Sequence, residues 1–521
     1  MPRLKLGSMI AAFAGAASAA FASPALAQSP PAALYDAIDA YVERQLSRPR
    51  VPGAALAIVE GDQVVHQRGF GQARPGGPAP SPETPFFIGS VTKSFTALAV
   101  MQLVEAGKVD LDAPVQQYLP WFRVADAQAS AEITVRQLLY QTSGLSTGSG
   151  WVPDGDFDAS AGAGRRQAEE LRTVRLSHPP GQVFEYSNTN YNLLGLVVEA
   201  ASGQSYAGYV QAHIFDPLDM RHTYTSRHLA QENGLAMGYV YWFGFPVASP
   251  HVGFPAGSLP SGQIISTSED MSHYLIAQLN GGRYGDSQVL SPAGIAEMHR
   301  PAVEFSMMAM PGQYGMGWFV GGLDQAGIVW HDGVVPDFHA YAAIVPAQQK
   351  GLVLLLNADH FLMSQTSLLD IGAKAGKMLA GVQPAPRGFD PMAAAARAMP
   401  WLMRALLLIP LLQLLGIAMT IRRLRHWRQN PHSRPTASRK WALHVGLPLA
   451  PNAMLAGCAG WLATSDLRGF LFLFGPDFSW TAVISGGFAG VWLLIRTGLV
   501  LWALRRRKPP QPITRAVPEA A

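Results

Sequence analysis

The feature that most constrains this chain lies at its C-terminal end, where three apolar stretches alternate with dense basic runs. Trp401–Ile421 and Trp480–Leu504 are each about long enough to cross a bilayer. Trp441–Thr464 is a weaker stretch, interrupted by Pro448, Pro451 and Asn452. Arg496 sits near the later end of the third stretch, where its charge can snorkel to the surface. Arg422, Arg423, Arg425, Arg428, Arg434, Arg439 and Lys440 fill the first connection, and Arg505, Arg506, Arg507 and Lys508 follow the third stretch. The connection between the second and third stretches has only Arg468. An excess of positive charge marks the cytoplasmic side, so three transmembrane helices are expected, with the region before Trp401 left outside.

The N-terminal end points the same way. Arg3 and Lys5 precede an Ala-rich apolar run, Leu6 to Ala22, which leads to Ala25-Leu26-Ala27 before Gln28. That is the pattern of a cleaved secretory signal. The expected organisation is therefore a signal peptide over 1–27 and an exported domain over 28–385. A linker over 386–400 follows, with Pro384–Pro391 (PAPRGFDP) as its breaker, then a transmembrane region over 401–504 and a cytoplasmic basic tail over 505–521. The chain is placed in a bacterial cytoplasmic (inner) membrane, its folded domain on the periplasmic or extracellular side, with membrane lipid as a partner of the spans.

Charge supports this division. Residues 400–521 hold 15 of the 39 Lys/Arg but 3 of the 35 Asp/Glu, leaving 24 and 32 for the rest. The basic balance belongs to the membrane flanks, so no nucleic-acid partner is inferred. Cys458 is the single cysteine. It excludes an intrachain disulfide and a Cys/His metal cluster, and its apolar neighbours suggest a small buried hydrophobe. Neither a metal nor a cofactor is expected.

Within the exported domain, Tyr35–Leu46 reads as an amphipathic helix, and Ala54–Val59 and Val64–Phe70 as strands around a Gly61-Asp62 turn. A long helix is expected after Ser90, through Phe95, Leu98, Met101 and Leu103, ending near Gly107. Thr134–Gln141 reads as another helix. Ala340–Val345 and Gly351–Asn357 read as strands and Ser364–Leu379 as a helix. Strands early and late, with helices between, imply an α/β (α+β) domain. One antiparallel sheet is then built from both chain ends and flanked by helices.

Three short motifs carry chemistry, each weak alone. In Ser90-Val91-Thr92-Lys93, a serine at a helix start has a lysine one turn on and on the same face. A serine hydroxyl needs a neighbour to take its proton, which a lysine amine can do, and the helix start favours an oxyanion. Tyr186-Ser187-Asn188 lies in a loop rich in turn residues. There a phenol can shuttle a proton if cations lower its pKa, and an amide can donate to a carbonyl. His331-Asp332-Gly333 follows an apolar strand, and a glycine there lets another backbone approach closely.

Together and in this order the three resemble the serine β-lactamase and penicillin-binding protein superfamily, in particular its class C β-lactamase and D-Ala-D-Ala carboxypeptidase-like branch. Phe87–Lys93, Gln137–Leu145 (similar to an "LLxHTSGL" segment, with Tyr140 and Gln141 departing from it), Pro255–Leu259 and Ser266–Met271 extend the likeness across about residues 35–380. The resemblance implies a β-lactamase-like antiparallel sheet plus an all-helical lobe, followed here by the three transmembrane helices. It also implies roles. Ser90 forms an acyl-enzyme. Lys93 and Tyr186 share the proton work. Asn188 holds the substrate amide, His331 lines the far wall beside Gly333, and the N–H groups of Ser90 and Val334 form the oxyanion hole.

Two departures bear on substrate. His331 stands where most β-lactamases of this branch have lysine, and an ordinary histidine is mostly neutral at pH 7. Asp332 stands where many relatives carry a hydroxyl, and would repel a substrate carboxylate if it faced the cleft. Both lower the expectation of efficient β-lactam hydrolysis. The expected activity is that of a membrane-anchored serine hydrolase acting on a small-molecule or peptide substrate, with a D-Ala-D-Ala carboxypeptidase or D-aminopeptidase acting on peptidoglycan-derived peptides, an esterase of small esters and a weak β-lactamase all left open. The alternative is a non-hydrolytic penicillin-type sensor or peptidoglycan-binding protein, disfavoured because every catalytic role is filled.

Overall fold

The computed structural model describes residues 31–505, apart from 48–49, 151–157, 159, 161, 250–252, 308–309, 322–326, 383–390, 434–446 and 466–467. The signal-peptide reading, the PAPRGFDP breaker up to residue 390, Arg434, Arg439, Lys440, the start of the second apolar stretch and the tail from 506 therefore lie outside the described residues.

Helix α1 (Pro31–Ser47) is followed by strands β1 (Gly53–Glu60) and β2 (Gln63–Gly71). Gly61, at φ +58°, supplies the left-handed turn residue that joins them. Late in the chain come β3 (Val329–Val335), β4 (Phe338–Val345) and β5 (Lys350–Leu356). β1 pairs antiparallel with β5, from Ala54 opposite Leu356 to Glu60 opposite Lys350. The sheet runs β2-β1-β5-β4-β3 and continues through the short strands Phe319–Val320, Met310–Tyr314 and Val303–Met307. The chain's early and late strands thus pair with each other within one sheet.

Alternation along β1 explains why both its faces are apolar. Ala55, Ala57 and Val59 join a core shared with Phe95, Leu98 and Tyr274, whereas Leu56 and Ile58 join a second core with Ile38, Val42, Ile371 and Leu379. The first core sits under the helical lobe, the second under α1 and α2 (Leu369–Leu379). The expected helix after Ser90 begins with a 3₁₀ turn, Gly89–Val91, and continues as an α-helix over Thr92–Glu105. The helix expected over Thr134–Gln141 is shorter, Val135–Leu139, with Thr134 and Gln137 forming a reciprocal capping box.

At the C-terminal end, residues from 391 onward, read from sequence as partly linker, are helical: α3 (Pro391–Ala405) and α4 (Leu408–Gln429). Among the described residues two helical runs, Arg397–Gln429 and Pro476–Leu499, are long and apolar enough to cross a membrane, where three spans were expected. The middle stretch forms an 18-residue helix, α5 (Leu447–Thr464), whose Pro448, Pro451 and Asn452 leave it short of that apolar character. Cys458 on α5 is exposed rather than buried, because α5 packs on the last apolar helix through Leu455 and Ala459, where Gly486 approaches them, and Cys458 lies off that face. A short helix, α6 (Arg468–Phe474), then leads into α7 (Pro476–Arg505).

Candidate active site

The nucleophile turn is pressed against strand β3. Gly89 has φ +50°, and a Cβ there would fall 2.3 Å from Val334 N. A Cβ on Gly333 would fall 1.9 Å from Ile88 O and 3.1 Å from Ser90 N. Two glycines facing each other therefore let the backbones of Ser90 and Val334 come together, as an oxyanion hole requires. Gly333 of the sequence motif has this steric role, and Gly89 is its unpredicted counterpart.

Lys93 is completely buried. Its Nζ lies 2.9 Å from Ser90 Oγ, 2.7 Å from Asn188 Oδ1 and 2.8 Å from the carbonyl oxygen of Ser261. Two of these partners can only accept. A neutral amine has two N–H groups for them and one lone pair left for the Ser90 hydroxyl proton. Burial holds the Lys93 amine well below the ordinary lysine range, against the opposing attraction of Asp332. The Tyr186 and Tyr191 rings stand 4.8 and 5.7 Å from Nζ, so the cation, when it forms, is received by aromatic faces.

Asn188 is the first residue of the helix Asn188–Ser202. With Oδ1 on Lys93, its amide N–H₂ is left for a substrate. Tyr186 stands beside Lys93 and near Ser90, and burial, followed by the neighbouring Tyr314, pushes its phenol well above the ordinary value. The condition raised from sequence, a phenol acidified by cations, is not met: desolvation dominates. The loop holding both residues is fixed by Gln141. Gln141 Oε1 accepts from Ser187 N at 3.0 Å and from Asn190 Nδ2, while its carbonyl accepts from Glu185 N at 2.8 Å. The departure at this position in the "LLxHTSGL" segment is thus a positioning residue.

His331 is fully buried and does not reach the cleft surface, so the expected far wall is corrected. It packs against Phe319 at 4.9 Å and Tyr186 at 6.3 Å between ring centroids. Burial, then the charge of Lys93, lowers it to about 3, so it is a neutral ring behind Tyr186. Asp332 sits opposite Tyr341 in the ladder, its side chain 17% exposed, and is absent from the cleft lining. Burial raises its carboxyl.

The cleft before Ser90 is also lined by Asn188, Ser258, Ser261 and Val334, and by two residues that sequence reasoning missed, Arg227 and Asp337. Burial raises Asp337 to about 7, partly offset by Arg227. Neither stands in a motif, and a carboxylate two residues past a strand end gives no sequence signal. The Ser261 carbonyl was equally invisible, since a backbone group carries no residue signature. Among the described residues no group of three or more His, Cys, Asp or Glu is placed to hold a metal.

The beta-lactamase family model matches residues 38–377, the span that contains every one of these groups up to Asp337. The chain belongs to the beta-lactamase family. Protein flp of Staphylococcus aureus (strain MW2) is 31% identical over 326 residues, covering 62% of this chain and 63% of that protein. The chain thus spans under two thirds of the length of the flp proteins it matches. Penicillin-binding protein 4 of Amycolatopsis lactamdurans is 32% identical over 356 residues, 66% of this chain and 89% of that one. The octameric penicillin-binding protein homologue from Pyrococcus abyssi has a similar fold, with a TM-score of 0.58 and 27% identity over 68% of this chain and 78% of that structure. In this family member the helices after residue 377 lie beyond the family match.

Proposed function

We propose that this chain is a membrane-anchored serine hydrolase that cleaves an amide or ester through an acyl-enzyme on Ser90. The observation that carries the reading is the buried Lys93, whose hydrogen-bond partners suit a neutral amine positioned to take the Ser90 proton. Ser90 Oγ attacks the substrate carbonyl as its proton passes to Lys93 Nζ. The N–H groups of Ser90 and Val334 hold the oxyanion, and Asn188 holds the substrate amide. The proton then returns through the Tyr186 hydroxyl to the leaving nitrogen or oxygen, and the carbon–heteroatom bond breaks. Water enters, loses a proton to the same Lys93–Tyr186 pair, and releases the acid. Tyr186 acts as a neutral relay. The domain works outside the cytoplasmic membrane, held there by its C-terminal helices. Peptidoglycan-derived peptides and esters are both within reach of this chemistry.

The test is intact-mass measurement of the full chain in detergent after mixing with a penicillin, and separately with an alkyl fluorophosphonate, beside Ser90→Ala. An adduct on the wild type alone is expected. Equal labelling of Ser90→Ala, or none with either reagent, would remove the assignment.

A further inference from the structure

One wall of the cleft comes from the C-terminal helical region. Gly469, Phe470, Leu473 and Phe474 of α6 line the same space as Ser90, Asn188 and Val334. Phe470, Leu473 and Phe474 stand at i, i+3 and i+4, so one face of the helix looks into the cleft. All three are partly exposed, whereas Leu471 is buried. The Phe472 ring packs edge-on to Trp480 at 5.4 Å.

The wall is anchored to the hydrolase domain. The Phe470 ring lies 6.0 Å from that of Phe361, and Gly475 approaches so closely that a Cβ would come 3.1 Å from the Phe361 ring. Asp477, three residues beyond α6, binds His360 at 2.9 Å. α6 also ends two residues before α7, whose Pro476–Leu499 is long and apolar enough to cross a membrane. The cleft therefore opens within about a turn or two of a bilayer surface. The enclosed space in front of Ser90 is only about 80 Å³. Sites that enclose a whole ligand are roughly 300–1,000 Å³. This one takes a carbonyl and a few carbons, and the remainder of a substrate runs out along α6.

We infer that α6 is the chain-binding wall of the active site, and that the substrate is a membrane-resident ester or amide with a hydrocarbon chain on its acyl side. The inference rests on the Ser90 hydrolase reading. The acyl side is assigned because Ser90 and Val334, which hold the acyl carbon and its oxygen, share the space with α6. Phe470, Leu473 and Phe474 are specificity residues: they contact the chain and not the reacting atoms.

The experiment compares kcat/KM for p-nitrophenyl esters from acetate to decanoate, using the full chain in a fixed concentration of non-ionic detergent. A fully buried methylene is worth about fourfold. A partly exposed wall captures part of that, so a rise of roughly tenfold or more from two to ten carbons is expected. In Phe470→Ser/Phe474→Ser that ratio falls towards one, and in Phe470→Leu/Phe474→Leu, which keeps an apolar face, it is retained. Partitioning into micelles is common to all three proteins, so comparison between them isolates the wall. A wild type with no chain preference, or a ratio unchanged by the serine pair, overturns this inference alone. If Ser90→Ala still turns over the esters, or no ester turns over and no fluorophosphonate labels Ser90, the hydrolase reading fails and takes this inference with it.

Discussion

His360 Nε2 lies 2.9 Å from Asp477 Oδ1, although 117 residues separate the two in the chain. Both side chains are buried, and the second Asp477 oxygen accepts from Phe243 N at 2.8 Å. The carboxylate sits in the first turn of α7, where the helix dipole favours it. It is thus a joint between the hydrolase domain and the last apolar helix. Asp477→Ala leaves three donors, His360 Nε2 and the N–H groups of Phe243 and Phe478, without their acceptor, and a loss of about 1–3 kcal/mol is expected. Melting of the full chain in detergent measures it, and an unchanged melting temperature would show that the joint carries no load.

The second prediction concerns Lys93. Catalysis by its neutral form requires that acylation of Ser90 rise with pH through the Lys93 pKa and level off above it. Burial places that rise well below the ordinary lysine range. Lys93→Arg keeps the charge but cannot lose its proton near neutral pH. Fluorophosphonate labelling of Ser90 should fall by about 10²–10⁴-fold, the usual worth of a general base. Near-normal labelling in Lys93→Arg would assign the proton transfer elsewhere.

Gly333→Ala tests the contact between β3 and the nucleophile turn. The new methyl would meet the Ile88 carbonyl oxygen at 1.9 Å, so the strand has to move away from Ser90. An overpacking cost of roughly 1–3 kcal/mol is expected in melting experiments. Acylation of Ser90 should drop by about 10²–10³-fold, as for a lost oxyanion donor. A variant that melts lower but acylates normally would separate the steric role from the catalytic one.

Stability against pH gives the fourth prediction, from two groups of opposite sign. His331 is lowered to about 3 by burial, so between pH 6.5 and 3 the unfolded chain binds the extra proton and stability falls as pH falls. Asp337 is raised to about 7 by burial, so between pH 4 and 7 the folded chain holds the extra proton and stability falls as pH rises. Each is worth roughly 4–5 kcal/mol over its full window, at about 1.4 kcal/mol per pH unit. His331→Gln should therefore flatten the acid side, apart from the part owed to His299, also lowered by burial to about 4. Asp337→Asn should reduce the loss towards neutral pH, apart from the part owed to Asp270, Asp332 and Asp359, also raised by burial. Denaturant titrations at pH 4, 5.5 and 7.5 read both, and parallel curves for the variants and wild type would contradict these assignments.

Periodicity and local chemistry made much of this protein legible. The apolar runs Ala54–Val59 and Gly351–Asn357, the helix from Thr134 and the turn at Gly61 all act over a few residues, and their strands, helix and turn lie close to the expected places. Ser90, Lys93, Tyr186 and Asn188 were singled out because residue type and spacing carry their chemistry, and the structure brings all four together. The errors have a common physical form. His331 was assigned to the cleft wall, and an acidified Tyr186 phenol was left open as a condition, because a sequence does not display burial, and burial decides both.

What the sequence determined, then, is the set of elements, their apolar faces and the reactive quartet, since each depends on neighbours within about a helical turn or a hairpin. Only the tertiary structure decided that Gly89 and Gly333 meet, that the Ser261 carbonyl completes the Lys93 site and that Gln141 holds the Tyr186 loop. It alone seated Asp337 and the α6 face of Phe470, Leu473 and Phe474 in the cleft. These contacts join segments far apart in the chain through backbone atoms, packing and exclusion of water, none of which leaves a mark at one position of a sequence.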